Sequence, residues 1–237
     1  MKAIVLAGGK GARLSPYTKI LPKPLMPIGD MPILEVILRQ MKFAGIKDVV
    51  LTVGHLSELL RAFFQDGSRL GLDISYSYED SPLGTAGPIA FVPNLNETFL
   101  VMNGDVLSTL SLNKLIEFHK EQYAIATIAT HHRKVKIDLG VIQWNGGAHI
   151  AGYIEKPSYD YSVSMGIYVF EPAVLAYIPK GQYYDFPDLV KKLIQVGEKV
   201  VGYRFDGYWQ DLGHPEDYEN AAKDFDHMRS QFLPSEV

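Results

Sequence analysis

The amino-acid sequence predicts an α/β protein built on a doubly wound sheet, and three features carry that expectation. An apolar run at residues 2–7 ends in Gly8-Gly9, as a buried strand feeding a glycine loop does. Strand-length apolar segments then alternate with segments of helical spacing through the first half of the chain. Beyond them, strand-like runs crowd together with fewer helices between, which predicts an inserted, more antiparallel region.

The elements follow in order. Residues 33–44 place Ile33, Leu34, Ile37, Leu38 and Met41 at helical spacing, with Asp30 and Pro32 at the start and Gly45 at the end. Residues 48–53 (Asp-Val-Val-Leu-Thr-Val) read as a second buried strand, 56–65 as a second helix and 72–78 as a third strand of alternating character. The apolar strand at 98–102 stops at Asn103-Gly104-Asp105. Further strands are expected at 124–130, 139–144, 149–154 and 165–170, with Asn145-Gly146-Gly147 as a hairpin signal. Helices return at 186–196 and 215–229, and the polar tail from Gln231 is expected to fray. No linker, repeat or low-complexity stretch interrupts the chain, so residues 1–237 read as a single domain.

Composition narrows the class. Of 237 residues, 47% are hydrophobic and 21% charged, ordinary values for a globular protein. No apolar run is long enough for a signal peptide or a membrane span. The absence of cysteine excludes disulfides, thiolate metal sites and a cysteine nucleophile, and it fits a reducing, cytoplasmic setting. A net charge of −4 argues against a nucleic-acid binder. Its distribution is uneven: residues 1–29 hold Lys2, Lys10, Arg13, Lys19 and Lys23 with no Asp or Glu. A basic, glycine-rich start to an acidic chain suits a polyphosphate site, although a charge cluster on a solvated face would look the same.

The chemistry concentrates in Gly8-Gly9-Lys10-Gly11-Ala12-Arg13-Leu14-Ser15-Pro16 and in Pro22-Lys23-Pro24. Glycines let the backbone approach a ligand and turn N–H groups toward phosphate oxygens. Arg13 adds a planar fork, and Lys23 adds a point charge on a backbone stiffened by two prolines. A P-loop is excluded, because no Lys-Ser or Lys-Thr follows a glycine at the required spacing. A dinucleotide fingerprint starting at Gly9 fails at Leu14, which disfavours an NAD-dependent oxidoreductase. His131 and His132, at an expected strand end, lack a third ligand at metal spacing and read as surface residues.

Read from Gly8 to Pro24, the pattern Gly-Gly-x-Gly-x-Arg-Leu-x-Pro-x-Thr followed by Pro-Lys-Pro resembles the signature of the sugar-1-phosphate nucleotidyltransferases. The resemblance continues in the family's order through Leu83-Gly84-Thr85-Ala86-Gly87, Asn103-Gly104-Asp105, Leu139-Gly140-Val141 and Glu155-Lys156-Pro157. It ends at Met165-Gly166-Ile167 and Trp209-Gln210-Asp211-Leu212-Gly213. It implies a Rossmann-like doubly wound mixed sheet, the nucleotide-diphospho-sugar transferase fold, with an inserted sugar-binding region. Residues 1–110 would mainly bind nucleotide, and 111–237 mainly sugar phosphate. No C-terminal β-helix extension of the kind some relatives carry is expected, so acyltransferase activity has no support.

By this resemblance an NTP and a sugar 1-phosphate condense to an NDP-sugar and pyrophosphate. Leu6, Ala7, Gly8, Gly9, Gly11, Arg13, Gly84, Thr85 and Gly87 would bind the nucleotide, with Arg13 and Lys23 in catalytic roles. Asn103, Gly140, Glu155, Lys156, Ser164 and Gly166 would bind the sugar phosphate. Asp105 and Asp211 would hold Mg²⁺, though a lone Gly-Asp is also an ordinary turn. The sequence Asn103-Gly104-Asp105 lacks the Asp-x-Asp pair of a glycosyltransferase. The loop at 83–88 resembles that of the mannose-1-phosphate guanylyltransferase branch, which implies GTP with mannose 1-phosphate or a related manno-sugar. The alternative is UTP, dTTP or CTP with glucose 1-phosphate or another sugar 1-phosphate. Ser164, where many relatives have asparagine, resembles the stretch of glucose-using adenylyltransferases. A non-catalytic nucleotide-sugar-binding regulator would have lost Arg13, the lysines or the carboxylates. Nucleic acid and membrane are not expected as partners, and a homo-oligomer is compatible with the sequence.

Overall fold

Alternate residues of β1 (Lys2–Ala7) enter two different cores: Ala3, Val5 and Ala7 pack on one face of the sheet, Ile4 and Leu6 on the other. A strand buried on both faces must be apolar at every position, and this explains the unbroken run at residues 3–7. The computed structural model describes residues 1–79 and 81–233. After β1 come the short strands β2 (Pro27–Ile28) and β3 (Met31–Pro32), α1 (Ile33–Phe43), β4 (Asp48–Val53), α2 (Ser57–Phe64) and β5 (Asp73–Tyr78). Next are β6 (Phe99–Asn103), β7 (Val106–Ser108), α3 (Leu112–Gln122), β8 (Ala126–Lys136), β9 (Val141–Trp144), β10 (Ile150–Ile154) and β11 (Ser158–Phe170). The chain closes with α4 (Phe186–Gln195), β12 (Val200–Phe205), β13 (Trp209–Asp211) and α5 (Pro215–Phe232).

The main sheet has seven strands in the order β12-β8-β11-β6-β1-β4-β5. β6, β1, β4 and β5 run parallel, β11 lies antiparallel between β6 and β8, and β12 is parallel to β8. The expected mixed, doubly wound sheet is therefore present. Helices α1, α2, α3 and α5 contribute to the core on one face, and α4 to the core on the other. In α1 the apolar stripe Ile33, Leu34, Ile37, Leu38 and Met41 is fully buried. Truncating any one of these to alanine would cost about 2–5 kcal/mol. Among the described residues no helix is long and apolar enough to cross a membrane.

Several elements differ from expectation. Helix α3 was not expected, yet Leu112, Leu115, Ile116 and His119 lie on its buried side and the Ser111 side chain accepts from Lys114 N at its start. β8 and β11 continue well beyond their expected ends and pair with each other from Lys136↔Ser158 onward, outside the reach of β6. Their exposed, polar outer halves carry no burial signal in the sequence. His131 is accordingly inside β8, not at its end, and is partly buried: its Nδ1 lies 2.9 Å from Phe205 O and its ring 5.4 Å from that of Trp209. The tail is not frayed at its start either, because Phe232 and Leu233 are buried against the core, with Phe232 stacked on Phe225. The rest of the tail, residues 234–237, lies outside the described residues.

Candidate active site

The parallel strands β1, β4, β5 and β6 all end at one edge, and a cavity of about 830 Å³ opens there. This is where open α/β sheets bind ligands. One wall is the end of β1 and the loop after it: Leu6, Ala7, Gly8, Gly9, Gly11 and Arg13 all line the cavity. Gly11 turns the loop with φ +59, and a side chain there would run into Thr18 Cγ2 at 2.9 Å. Thr18, itself buried, fixes the turn by donating to Gly11 O at 2.8 Å. Leu14 anchors the far end in the interior and donates its N–H to the same carbonyl at 2.9 Å.

The opposite wall is the loop after β5. Gly84 and Thr85 line the cavity, whereas Gly87 faces away and gives its N–H to Tyr184 O at 3.0 Å. This loop is held by the segment before α4. Asp185 Oδ1 accepts from Thr85 N at 2.8 Å and from Thr85 Oγ1 at 3.0 Å, and Oδ2 accepts from the Tyr183 hydroxyl at 2.7 Å. Burial alone would raise the Asp185 carboxyl, but these bonds to its charged form hold it below the usual range.

The floor carries the charge. Lys23 is buried between its prolines and donates to Asp105 Oδ2, with Asp211 Oδ1 at 3.8 Å. β7 and β13 explain how residues so far apart in sequence meet: Asp211 pairs with Val106 in that ladder, and Leu212 N donates to Asp105 O at 3.1 Å. Asp211 Oδ1 is buried without a hydrogen-bond partner. Burial pushes the Asp211 carboxyl up and the Asp105 charge adds to this, while Lys23 and Arg13 pull it back. Two carboxylates sharing one ammonium, one oxygen orphaned, form a site with room for more positive charge. Among the described residues no three His, Cys, Asp or Glu side chains gather around a metal position, so the pair would need further ligands from elsewhere.

The expected sugar-side residues divide. Asn103 lines the cavity, and Gly166 abuts it. Gly166 sits at φ +73 in a register shift of β11, where an added Cβ would lie 2.5 Å from Asn103 Nδ2. Ser164 Oγ bonds within the same bulge, donating to Tyr168 OH at 3.0 Å and accepting from Gly166 N at 3.4 Å. Glu155 and Lys156 are exposed, 3.9 Å apart at the end of the β9–β10 hairpin, and do not line the cavity. Gly140 lies against the Tyr153 hydroxyl in the same region.

Glu79, Thr52, Tyr183 and Asp185 also line the cavity, and no motif in the sequence marks them. Glu79 follows β5 as Asp105 follows β6, so its position at a strand's carboxyl end was the available signal. Its Oε2 accepts from Leu83 N at 3.2 Å, and burial raises its carboxyl above the ordinary value against the pull of that bond. Thr52 is buried on β4, lines the cavity and has no partner for its hydroxyl. Tyr183 and Asp185 belong to a loop with no motif of its own.

Known proteins resemble this chain over nearly its whole described length. The nucleotidyl transferase family model matches residues 2–227. A mannose-1-phosphate guanylyltransferase from Mycobacterium tuberculosis is 37% identical over 229 residues, covering 94% of this chain and 64% of that protein. A UTP–glucose-1-phosphate uridylyltransferase from Synechocystis sp. is 36% identical over 243 residues, covering 94% of this chain and 63% of that one. The chain thus spans 63–64% of the length of these curated relatives. A solved structure from Bacillus anthracis, described as a glucose-1-phosphate thymidylyltransferase in complex with a sucrose, superposes with a TM-score of 0.75 at 24% identity, covering 94% of each chain. At that identity the likeness shows the fold.

Proposed function

Because the chain belongs to the nucleotidyl transferase family, we propose that it joins GTP to mannose 1-phosphate, or to a related manno-configured sugar 1-phosphate, and releases pyrophosphate. Glu79 is the observation that carries the base. Guanine presents two adjacent donors, N1–H and the N2 amino group, beside the O6 acceptor. A carboxylate accepts from both donors at once. Uracil and thymine place acceptors on both sides of one N–H, and cytosine and adenine offer one donor beside an acceptor. A half-buried carboxylate facing those edges would meet lone pairs, at a cost of up to about 1–3 kcal/mol for each unpaired group. The unpartnered Thr52 hydroxyl in the same cavity is a donor suited to O6.

The reaction itself is an in-line attack by the sugar phosphate oxygen on the α-phosphorus of the nucleotide. The attacking phosphate is already ionised, so no protein nucleophile or base is required. The backbone N–H groups of residues 8–11 and the Arg13 guanidinium would hold the departing pyrophosphate. Lys23 would share its charge between Asp105 and the α-phosphate. Asp105 and the orphaned Asp211 Oδ1 fit Mg²⁺, which takes one or two carboxylates and completes its shell with phosphates and water. When bound there, the ion would supply charge that offsets the repulsion between the reacting phosphates. Asn103 and Gly166 would meet the sugar beside that floor. Lys156, outside the cavity, would reach the sugar phosphate from the hairpin.

The manno configuration draws its support from the M. tuberculosis relative. The Synechocystis relative favours the runner-up, a uridylyl transfer to glucose 1-phosphate. A purely regulatory protein is disfavoured, since Arg13, Lys23, Asp105 and Asp211 are all in place. Pyrophosphate release from a panel of NTPs and sugar 1-phosphates, with Mg²⁺ and with EDTA, tests the reading. Release only with a sugar 1-phosphate present and abolished by EDTA is expected. No release with any pair would contradict it.

A further inference from the structure

The Arg13 guanidinium does not hang free at the cavity mouth. Its Nη1 lies 3.0 Å from His214 Nε2, and an added Cβ on Gly213 would sit 3.2 Å from Nη2 and 3.3 Å from Cζ. The tip of Arg13 is thus packed against Gly213 and bonded to the next residue. Arg13 and Gly213 both line the cavity. Arginine has only donors, so the imidazole must be the acceptor, neutral and with its proton on Nδ1.

Among the described residues the His214 side chain makes no other hydrogen bond. It stands at the start of α5 with extended backbone, and its carbonyl accepts from Tyr218 N at 3.0 Å, but its side chain does not cap the helix. The backbone therefore secures the helix whatever side chain is carried, and the imidazole is left to Arg13. A carboxylate at this place would also hold the guanidinium but would cancel its charge. A neutral acceptor orients the fork and leaves four of its five donors and its full charge for the ligand.

We propose that His214 is a positioning residue that fixes Arg13 for the diphosphate end of the nucleotide and for pyrophosphate. The inference rests on the nucleotidyl-transfer reading of the cavity. An arginine held in place before binding loses less side-chain freedom on binding, so the benefit appears as affinity for the polyphosphate. The contact is exposed, and its effect on folding is correspondingly small.

The test is the affinity of inorganic pyrophosphate by calorimetry, together with kcat and KM for pyrophosphate in the reverse reaction. In His214→Gln the amide oxygen can take the place of Nε2, whereas His214→Leu offers no acceptor. We expect His214→Leu to weaken pyrophosphate about 3- to 10-fold, the worth of one net hydrogen bond. Its KM for the nucleotide sugar and its melting temperature should stay unchanged, and His214→Gln should remain within about twofold of the parent on the same scale. Parental affinity in His214→Leu, or equal losses in both variants, would overturn the proposal. A parent protein that binds neither pyrophosphate nor any NTP would instead overturn the functional reading beneath it.

Discussion

The carboxylate of Glu79 occupies the space that a side chain on Gly8 would need: a Cβ built on Gly8 falls 2.7 Å from Glu79 Oε1. The first glycine of the loop after β1 and the acid that follows β5 are therefore in direct apposition. One position shapes the other, and both line the same cavity.

Gly8→Ala should displace the Glu79 carboxylate and weaken GTP, with little change in affinity for pyrophosphate. A loss of up to about tenfold is the expected scale, one unpaired hydrogen bond in a half-buried setting. Equilibrium binding of GTP and of pyrophosphate to the variant checks this. Equal losses for both ligands would place Gly8 on the phosphates alone.

GTP binding should depend on pH through Glu79. Burial raises its carboxyl above the ordinary value, so the proton leaves at a higher pH than from an exposed glutamate. Only the ionised form accepts from two guanine donors. Affinity should rise with pH through that titration and flatten above it, and Glu79→Gln should remove this dependence. Isothermal titration of GTP across the acid range gives the curve, and the same slope in the variant would assign the titration elsewhere.

Asp105→Asn keeps the shape of the floor and an acceptor for Lys23 but removes one of the two carboxylate charges. Turnover should fall at least ~100-fold, the scale of lost transition-state electrostatics, with the fold intact. The Mg²⁺ concentration for half-maximal rate should rise. Normal turnover at limiting Mg²⁺ would remove Asp105 from the metal site.

The two lysines should part company. Lys23 is buried against Asp105 and faces Asp211, so Lys23→Ala leaves two carboxylates without their shared cation and should mainly lower kcat. Lys156 is exposed on the hairpin, and Lys156→Ala should mainly raise KM for the sugar 1-phosphate. Steady-state kinetics with each substrate varied in turn separates them. A change confined to NTP affinity in Lys156→Ala would contradict the assignment.

Local chemistry that announces itself was legible in the sequence. Residues 3–7 must be apolar because both faces of β1 are covered, and Gly11 is needed where the loop turns at positive φ. What the sequence hid depends on partners distant along the chain. Glu79 is a single acid after an edge strand, and only the approach of Gly8 and Leu83 gives it meaning. Asp185 acts through Thr85, 100 positions away, and His214 through Arg13, 201 positions away. Helix α3 did have a readable stripe in Leu112, Leu115, Ile116 and His119, masked by its polar remainder. The outer halves of β8 and β11 are held by each other, so no buried face marks them as strands.

Competition among equimolar GTP, ATP, UTP, CTP and dTTP shows whether Glu79 selects guanine. The reaction is run with mannose 1-phosphate and again with glucose 1-phosphate, on the parent protein and on Glu79→Gln. A glutamine presents one donor and one acceptor, which fits the donor–acceptor edge of uracil and thymine that the carboxylate repels, so the preference for guanine is lost. The expected outcome is a GDP-sugar as the main product of the parent, formed faster from mannose 1-phosphate, with a shift toward UDP- or dTDP-sugar in the variant. A parent product dominated by UDP-, CDP- or dTDP-sugar, or a base preference unmoved by Glu79→Gln, would contradict it.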